Sequence, residues 1–238
     1  MYKRILLKLS GEGMKGNSDS IIEAKGLEGF AQVIKSLHDE GVEIGIVIGA
    51  GNIWRGKLAN TLKIEAVPAD YMGMLGTVIN ATCLASHLKG LGVDCQVFSA
   101  LGPISDIIKG YDKEEAKKSL SEGKVTFFAG GTGKPFFTTD TAATLRALEC
   151  ECDAIFMGKN NVEGVYTADP SKDPDAKFIP IITYDEMIKN NLQVMDKTAV
   201  ELLLDKDIEI RVFSMSNPEN FIKVAKGENI GTICRRGK

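Results

Sequence analysis

Only two histidines, His38 and His87, and a single tryptophan occur in these 238 residues. Both histidines fall in helical segments without Cys or His partners at ligand spacing, so they read as ordinary helix residues. The five cysteines are scattered. Cys150-Glu151-Cys152 has one intervening residue where zinc and redox motifs use two. Metal cages, cysteine nucleophiles and Ser-His-Asp triads therefore find little material, and no protein-held metal is expected. No apolar run approaches membrane-spanning length, and the first one is broken by Lys8, too early for a secretory signal; a cytoplasmic protein without membrane contacts is expected. Nor is one charge in surplus. Lys+Arg 29 against Asp+Glu 32 leaves −3, which argues against a nucleic-acid-binding surface.

What remains is an ordinary globular composition, 44% hydrophobic and 26% charged. No stretch resembles a linker, so residues 1–238 are expected to form one domain. Short apolar runs at 2–9, 42–48, 95–100, 125–129, 153–157, 209–213 and 230–234 predict strands. Helical patterns at 21–37, 69–88, 142–148, 184–190, 194–204 and 218–224 fall between them, with irregular helical material up to 122. In the helix over 69–88, Met72, Leu75, Ile79 and Cys83 recur at three- and four-residue spacing and mark its expected buried stripe. Such alternation predicts a three-layer α/β/α sandwich around a mostly parallel sheet.

Three of these strands end in glycine turns accompanied by a cation. After Val125–Ala129 come Gly130, Gly131 and Gly133 with Lys134, then the cap residues Thr138 and Thr139 and the acid Asp140 opening a helix. Unpaired N–H groups at such a junction suit an anion. The first strand carries Lys8 beside Ser10 and Gly11; that lysine either snorkels to solvent or reaches into a site. The second leads to Gly49, Gly51 and Arg55. Residues 51–57 match a Walker A loop until Leu58, where the motif needs Ser or Thr, so the phosphate signal survives and the P-loop fails. Residues 11–16 fit a G-x-G-x-x-G fingerprint, but Asn17 to Ser20 stand where a helix should begin. Asp70 and Asp140 read equally as helix-dipole complements or as site residues, and Asp196 as a cap or a site residue.

Several phosphate-cradling turns with cations suit two phosphorylated ligands meeting end to end. Phosphoryl transfer needs alignment and charge neutralisation more than covalent chemistry, which fits the scarcity of histidine. A phosphate monoester acceptor has its second pKa at about 6, so it needs no general base at pH 7. Two alternatives draw on the same residues: an NAD-dependent oxidoreductase resting on residues 11–16, and a nucleotide-sensing module without turnover.

Six segments carry a family resemblance over essentially the whole length. They are Lys8-Leu9-Ser10-Gly11-Glu12; Ile48-Gly49-Ala50-Gly51-Asn52-Ile53-Trp54-Arg55-Gly56; Asp70-Tyr71-Met72-Gly73-Met74-Leu75; Gly131-Thr132-Gly133-Lys134-Pro135-Phe136-Phe137-Thr138-Thr139-Asp140; Val165-Tyr166-Thr167-Ala168-Asp169-Pro170; and Val194-Met195-Asp196. Together they resemble the bacterial UMP kinases of the amino acid kinase family. That resemblance implies a nucleoside monophosphate kinase of pyrimidine biosynthesis, passing a phosphoryl group from ATP, with Mg²⁺, to UMP. It implies that Lys8 neutralises the transferring group while Asp140 and Asp196 organise that lysine and the metal-bound nucleotide. Lys8, Leu9, Ser10, Gly11 and Gly51 would meet ATP, with Arg55, Asn160, Tyr166 and Asp169. UMP would lie on Ala50, Arg55 and Asp70, and along the loop of Thr132, Gly133, Lys134, Pro135, Phe136, Phe137, Thr138 and Thr139. A homohexamer and feedback inhibition by UTP are further implications. The sequence departs from the family pattern at Ala50, usually glycine, and over residues 16–21, where the segment linked to GTP activation lacks its usual glycines and aromatics; GTP activation is not expected.

Overall fold

The apolar runs become strands in a computed structural model, which describes residues 1–15, 20–159, 162–192 and 194–237. Along the chain, β1 (Arg4–Leu9) leads through a single helical turn, α1 (Glu12–Lys15), to α2 (Ala24–Asp39) and β2 (Glu43–Ile48). Helices α3 (Lys57–Leu62) and α4 (Ala66–Gly90) precede β3 (Cys95–Ser99), β4 (Ile108–Gly110), α5 (Lys113–Ser121) and β5 (Val125–Ala129). Next come α6 (Thr139–Glu149), β6 (Ala154–Lys159), a small hairpin of β7 (Val165–Tyr166) with β8 (Phe178–Ile179), and β9 (Ile181–Thr183). The chain continues through α7 (Tyr184–Lys189), α8 (Lys197–Glu201), β10 (Glu209–Ser214), α9 (Glu219–Ala225) and β11 (Thr232–Arg235).

Among the described residues nine strands form one sheet in the order β4-β3-β5-β2-β1-β6-β10-β11-β9. Pairing is parallel from β4 through to β10; β11 runs antiparallel to β10 and carries β9 alongside. Strand side chains alternate between faces, and each face has its own core. Ile5, Leu7 and Leu9 pack with α2, α4 and α9 through Ile34, Leu84 and Phe221. Leu6 and Ile155 pack with α6 and α8 through Ala143, Ala147 and Val200. This is the expected three-layer sandwich. Successive strands run from β1 toward β2, then jump to β6 on the other side. The carboxyl ends of β1 and β6 therefore flank the switch point, where open α/β sheets bind ligands.

Four expectations need correction. The buried stripe of α4 does not run through Met72, Leu75 and Ile79. Leu75 and Ile79 are 50% and 54% exposed, Met72 is exposed as well, and Cys83 is half-buried. Instead Val78, Ala81, Leu84 and Leu88 face the sheet. This helix is apolar all round, so periodicity alone could not select its buried side. The same helix begins at Ala66, which puts Asp70 beyond the first turn and removes its role as a dipole complement. A helix does begin at once after Gly11, but it ends at Lys15; Gly16 lies outside the described residues. Finally, the helix expected over 194–204 starts at Lys197, because the Asp196 side chain accepts from the Ala199 N–H and caps it there. No described helix is long and apolar enough to cross a membrane.

Candidate active site

Lys8 sits on the α6 side of β1, and its Nζ lies 2.8 Å from Asp140 Oδ1, an ion pair without hydrogen-bond alignment. Asp140 is held there by helix chemistry. Thr138 is the N-cap of α6 and accepts from the N–H groups of Asp140 and Thr141 at 3.1 and 3.2 Å. The Thr138 hydroxyl also donates to Asp196, and Thr141 Oγ1 donates to Asp196 Oδ2 at 3.2 Å. Since Asp196 caps α8 as well, one carboxylate ties together two helix N-termini. The cap reading of Asp196 therefore holds, and the same residue borders a cavity together with Asp140.

The first two glycine turns press against each other. Gly49 N donates to Leu9 O at 3.0 Å, and a Cβ on Gly11 would lie 2.2 Å from Gly49 O. Only a residue without a side chain permits that approach. Asn80, fully buried in α4, donates to Gly49 O and to Asn52 Oδ1, both at 2.8 Å, and fixes the second turn from below. Arg55 bridges the turns, with its guanidinium 2.7 Å from Glu12 and its Nε donating to Gly51 O. The methyl of Ala50 points toward α4, where Gly76 leaves room: a Cβ at Gly76 would come within 2.8 Å of it.

The third turn uses left-handed glycines at Gly130, Gly131 and Gly133. Gly130 N donates to the buried Thr77 hydroxyl at 2.8 Å. Beyond it Phe136 also takes a positive φ of 71°, strained for a bulky residue. Its N–H donates to Asp70 Oδ2 at 2.7 Å, so the α4 carboxylate holds the loop in place. Ala50, Gly51, Asp70, Lys134, Thr138 and Thr139 border a cavity of about 280 Å³ that also reaches Trp54 and Phe137. Thr132 Oγ1 donates to Lys134 O within the loop, Pro135 is half-buried, and Gly133 lies against Ala100.

Two further cavities of about 520 Å³ each lie on the β6 side. One is bordered by Asp140, Asp196 and Lys159; the other by Tyr166, Asp169 and, again, Lys159. Tyr166 meets Phe178 edge-on at 5.6 Å. Hydrogen bonds from Ser171, aided by Lys172, hold the Asp169 carboxyl below its usual range. Two expected residues keep their side chains apart from this geometry, and a third is not described. The Leu9 side chain lies in the core, leaving only its backbone at the edge. Ser10 uses its hydroxyl to accept from Glu12 N. Asn160 lies outside the described residues. Sequence reasoning missed Asn80, a polar residue inside an apolar helix, and Lys159, which ends β6 as Lys8 nearly ends β1. That shared position was the signal for Lys159.

The model of the amino acid kinase family matches residues 3–214. The whole structure is similar to that of a UMP kinase from Bacillus anthracis: 36% identity, TM-score 0.95, covering 100% of this chain and 97% of that one. A UMP kinase from Ureaplasma parvum matches at 36% identity and TM-score 0.91, covering 99% and 100%. A uridylate kinase from Archaeoglobus fulgidus matches at 27% identity and TM-score 0.74, covering 97% and 99%. None of these likenesses supports the dinucleotide reading.

Proposed function

The chain belongs to the amino acid kinase family, and from that premise we infer that it transfers the γ-phosphoryl group of ATP to UMP, giving ADP and UDP. One observation carries the reading beyond the likeness. Asp140, paired with Lys8, borders a β6-side cavity, and its neighbours Thr138 and Thr139 border the cavity of the glycine turns and Lys134. Two nucleotides entering from opposite sides would meet at Lys8. The UMP phosphate is largely dianionic at pH 7, so the barrier is repulsion between anions rather than a missing base. Lys8 would neutralise the transferring group, with Asp140 fixing the ammonium and Asp196 fixing the helix that carries Asp140. Arg55 and the 130–138 loop would seat the UMP phosphate and base, with Asp70 at the ribose; Tyr166 and Asp169 would meet the adenosine.

No group of three or more His, Cys, Asp or Glu that could hold a metal ion occurs among the described residues. Asp140 and Asp196 border one cavity and fit a Mg²⁺ that enters on the nucleotide and keeps part of its water shell. When bound, that ion would neutralise phosphate charge. The exposed apolar side of α3 and α4, with Leu58, Leu62, Leu75 and Ile79, supports self-association into the hexamer the family leads one to expect. Inhibition by UTP, a cytoplasmic location and action as one domain belong to the same proposal. A coupled assay with ATP–Mg²⁺ and UMP, CMP or AMP tests it. UMP-dependent ADP release well above that with CMP or AMP is expected, and no UMP-dependent release refutes it.

A further inference from the structure

Lys8 is not the only lysine at the switch point. In the β1–β6 register Lys8 pairs with Met157. Side chains alternate, so Lys159, two residues on, projects to the same face as Lys8, and the two Cα atoms are about 8 Å apart from strand spacing and rise. Lys159 is half-buried and borders both β6-side cavities, the one holding Asp140 and Asp196 and the one holding Tyr166 and Asp169. A polyphosphate running from the second cavity to Lys8 must pass it.

Its surroundings lack what such a lysine normally has. Among the described residues no carboxylate lies within ion-pair range of Lys159, and its ammonium makes one long contact, 3.5 Å, to Val194 O. Asp140 is committed to Lys8. A cation taken partly out of water beside a second cation costs folding free energy unless an anion joins it. Burial first, and then Lys8, push the Lys159 pKa down, with Asp140 opposing. Cations that stand unpaired in a cleft mark places where a charged ligand completes the set.

We propose that Lys159 is a catalytic residue that binds the β- and γ-phosphates of the donor nucleotide. It rests on the reading of this site as a phosphoryl-transfer centre. In the transfer, a UMP phosphate oxygen forms a bond to the γ-phosphorus while the bond from that phosphorus to the β–γ bridging oxygen breaks. The electron pair stays on the β-phosphate of ADP. Lys159 keeps its proton and donates hydrogen bonds to the oxygens gaining that charge; Lys8 serves the transferring group itself. The groups facing Lys159 are Lys8 from β1, Asp140 from α6, and Asp196 with Lys197 at the start of α8.

The test uses the full chain and its Lys159→Met and Lys159→Arg variants. Lys159→Met should lower kcat about 100-fold or more, the usual effect of losing one preorganised donor. The KM for UMP should stay within about threefold, the pattern of a lost transition-state contact. Its melting temperature should be equal to or above that of the parent, because an unpaired charge has gone. Lys159→Arg should recover much of the rate. It should also move the alkaline fall in rate to higher pH, since the guanidinium does not titrate there. Calorimetric titration separates this proposal from the choice of acceptor: ADP should bind Lys159→Met at least about tenfold more weakly while AMP, lacking the β-phosphate, binds unchanged. Equal ADP affinities, or parental kcat in the Met variant, would overturn the role of Lys159. Parental enzyme that binds ADP through Lys159 yet ignores UMP would overturn the acceptor instead.

Discussion

The Ala50–Gly76 contact lends itself to a quantitative test. Placing a methyl on Gly76 would bring it within 2.8 Å of the Ala50 Cβ and 3.6 Å of the Ile53 Cβ. Carbon atoms prefer about 3.5–4.0 Å, so the second glycine turn or the helix must shift by the better part of an ångström. Overpacking of this kind costs about 1–3 kcal/mol. Replacing glycine by alanine inside a helix returns roughly 1 kcal/mol. Gly76→Ala alone should therefore be neutral to about 2 kcal/mol destabilising, and should raise the KM for UMP because the turn that moves borders the UMP cavity. Ala50→Gly alone should be mildly destabilising, about 0.4–1 kcal/mol, through the greater freedom of the unfolded chain. In the double variant the clash is gone and the helix gain remains. Urea unfolding of all four proteins would then give a coupling energy of about 1–3 kcal/mol in favour of the pair, well above the roughly 0.5 kcal/mol scatter of independent sites. Additive effects would refute the claim that Gly76 makes room for Ala50.

Other consequences are simpler to check. Lys8→Ala should remove most turnover in steady-state assays while nucleotide affinity changes much less; unchanged turnover would remove Lys8 from the chemistry. Asp70→Asn should weaken UMP without affecting ATP in separate titrations, because it loosens the bond to Phe136 N as well as any sugar contact; the opposite pattern would reverse the two nucleotide sites. Gly11→Ala should abolish activity or folding, since its Cβ would meet Gly49 O at 2.2 Å; a fully active variant would contradict the contact. Burial pushes the thiols of Cys95 and Cys234 up to about 12 and that of Cys150 up to about 11. They should resist a thiol-disulfide reagent at pH 8 until the chain is unfolded. Being raised above the ordinary value of 9.0, these groups favour the folded state fully below that pH. Unfolding free energy should decline as pH climbs from about 9 toward 12, as the unfolded chain ionises first.

The central strands were legible because each is a short apolar run closed by glycine or a cap. The capped start of α6 was legible in Thr138 and Asp140. Strands of two or three residues, β4, β8 and β9, leave too little pattern to read, and they form through pairing with partners elsewhere in the chain. The inward face of α4 was hidden for another reason: apolar residues surround that helix, and its small residues set the close approaches, Gly76 to the turn of Ala50 and Ala81 to the sheet. Lys8 was singled out from its place near a strand end; Lys159 offered the same cue, but only the β1–β6 register shows that the two share a face.

The link between Arg55 and Glu12 has a bearing on ionic conditions. If Arg55 seats the UMP phosphate as proposed, that phosphate would exchange places with the Glu12 carboxylate. The cleft would then carry less positive potential at rest. Both side chains are more than half exposed, so the pair is weak, and it would give only a slight advantage to a ligand that holds several of the surrounding donors at once.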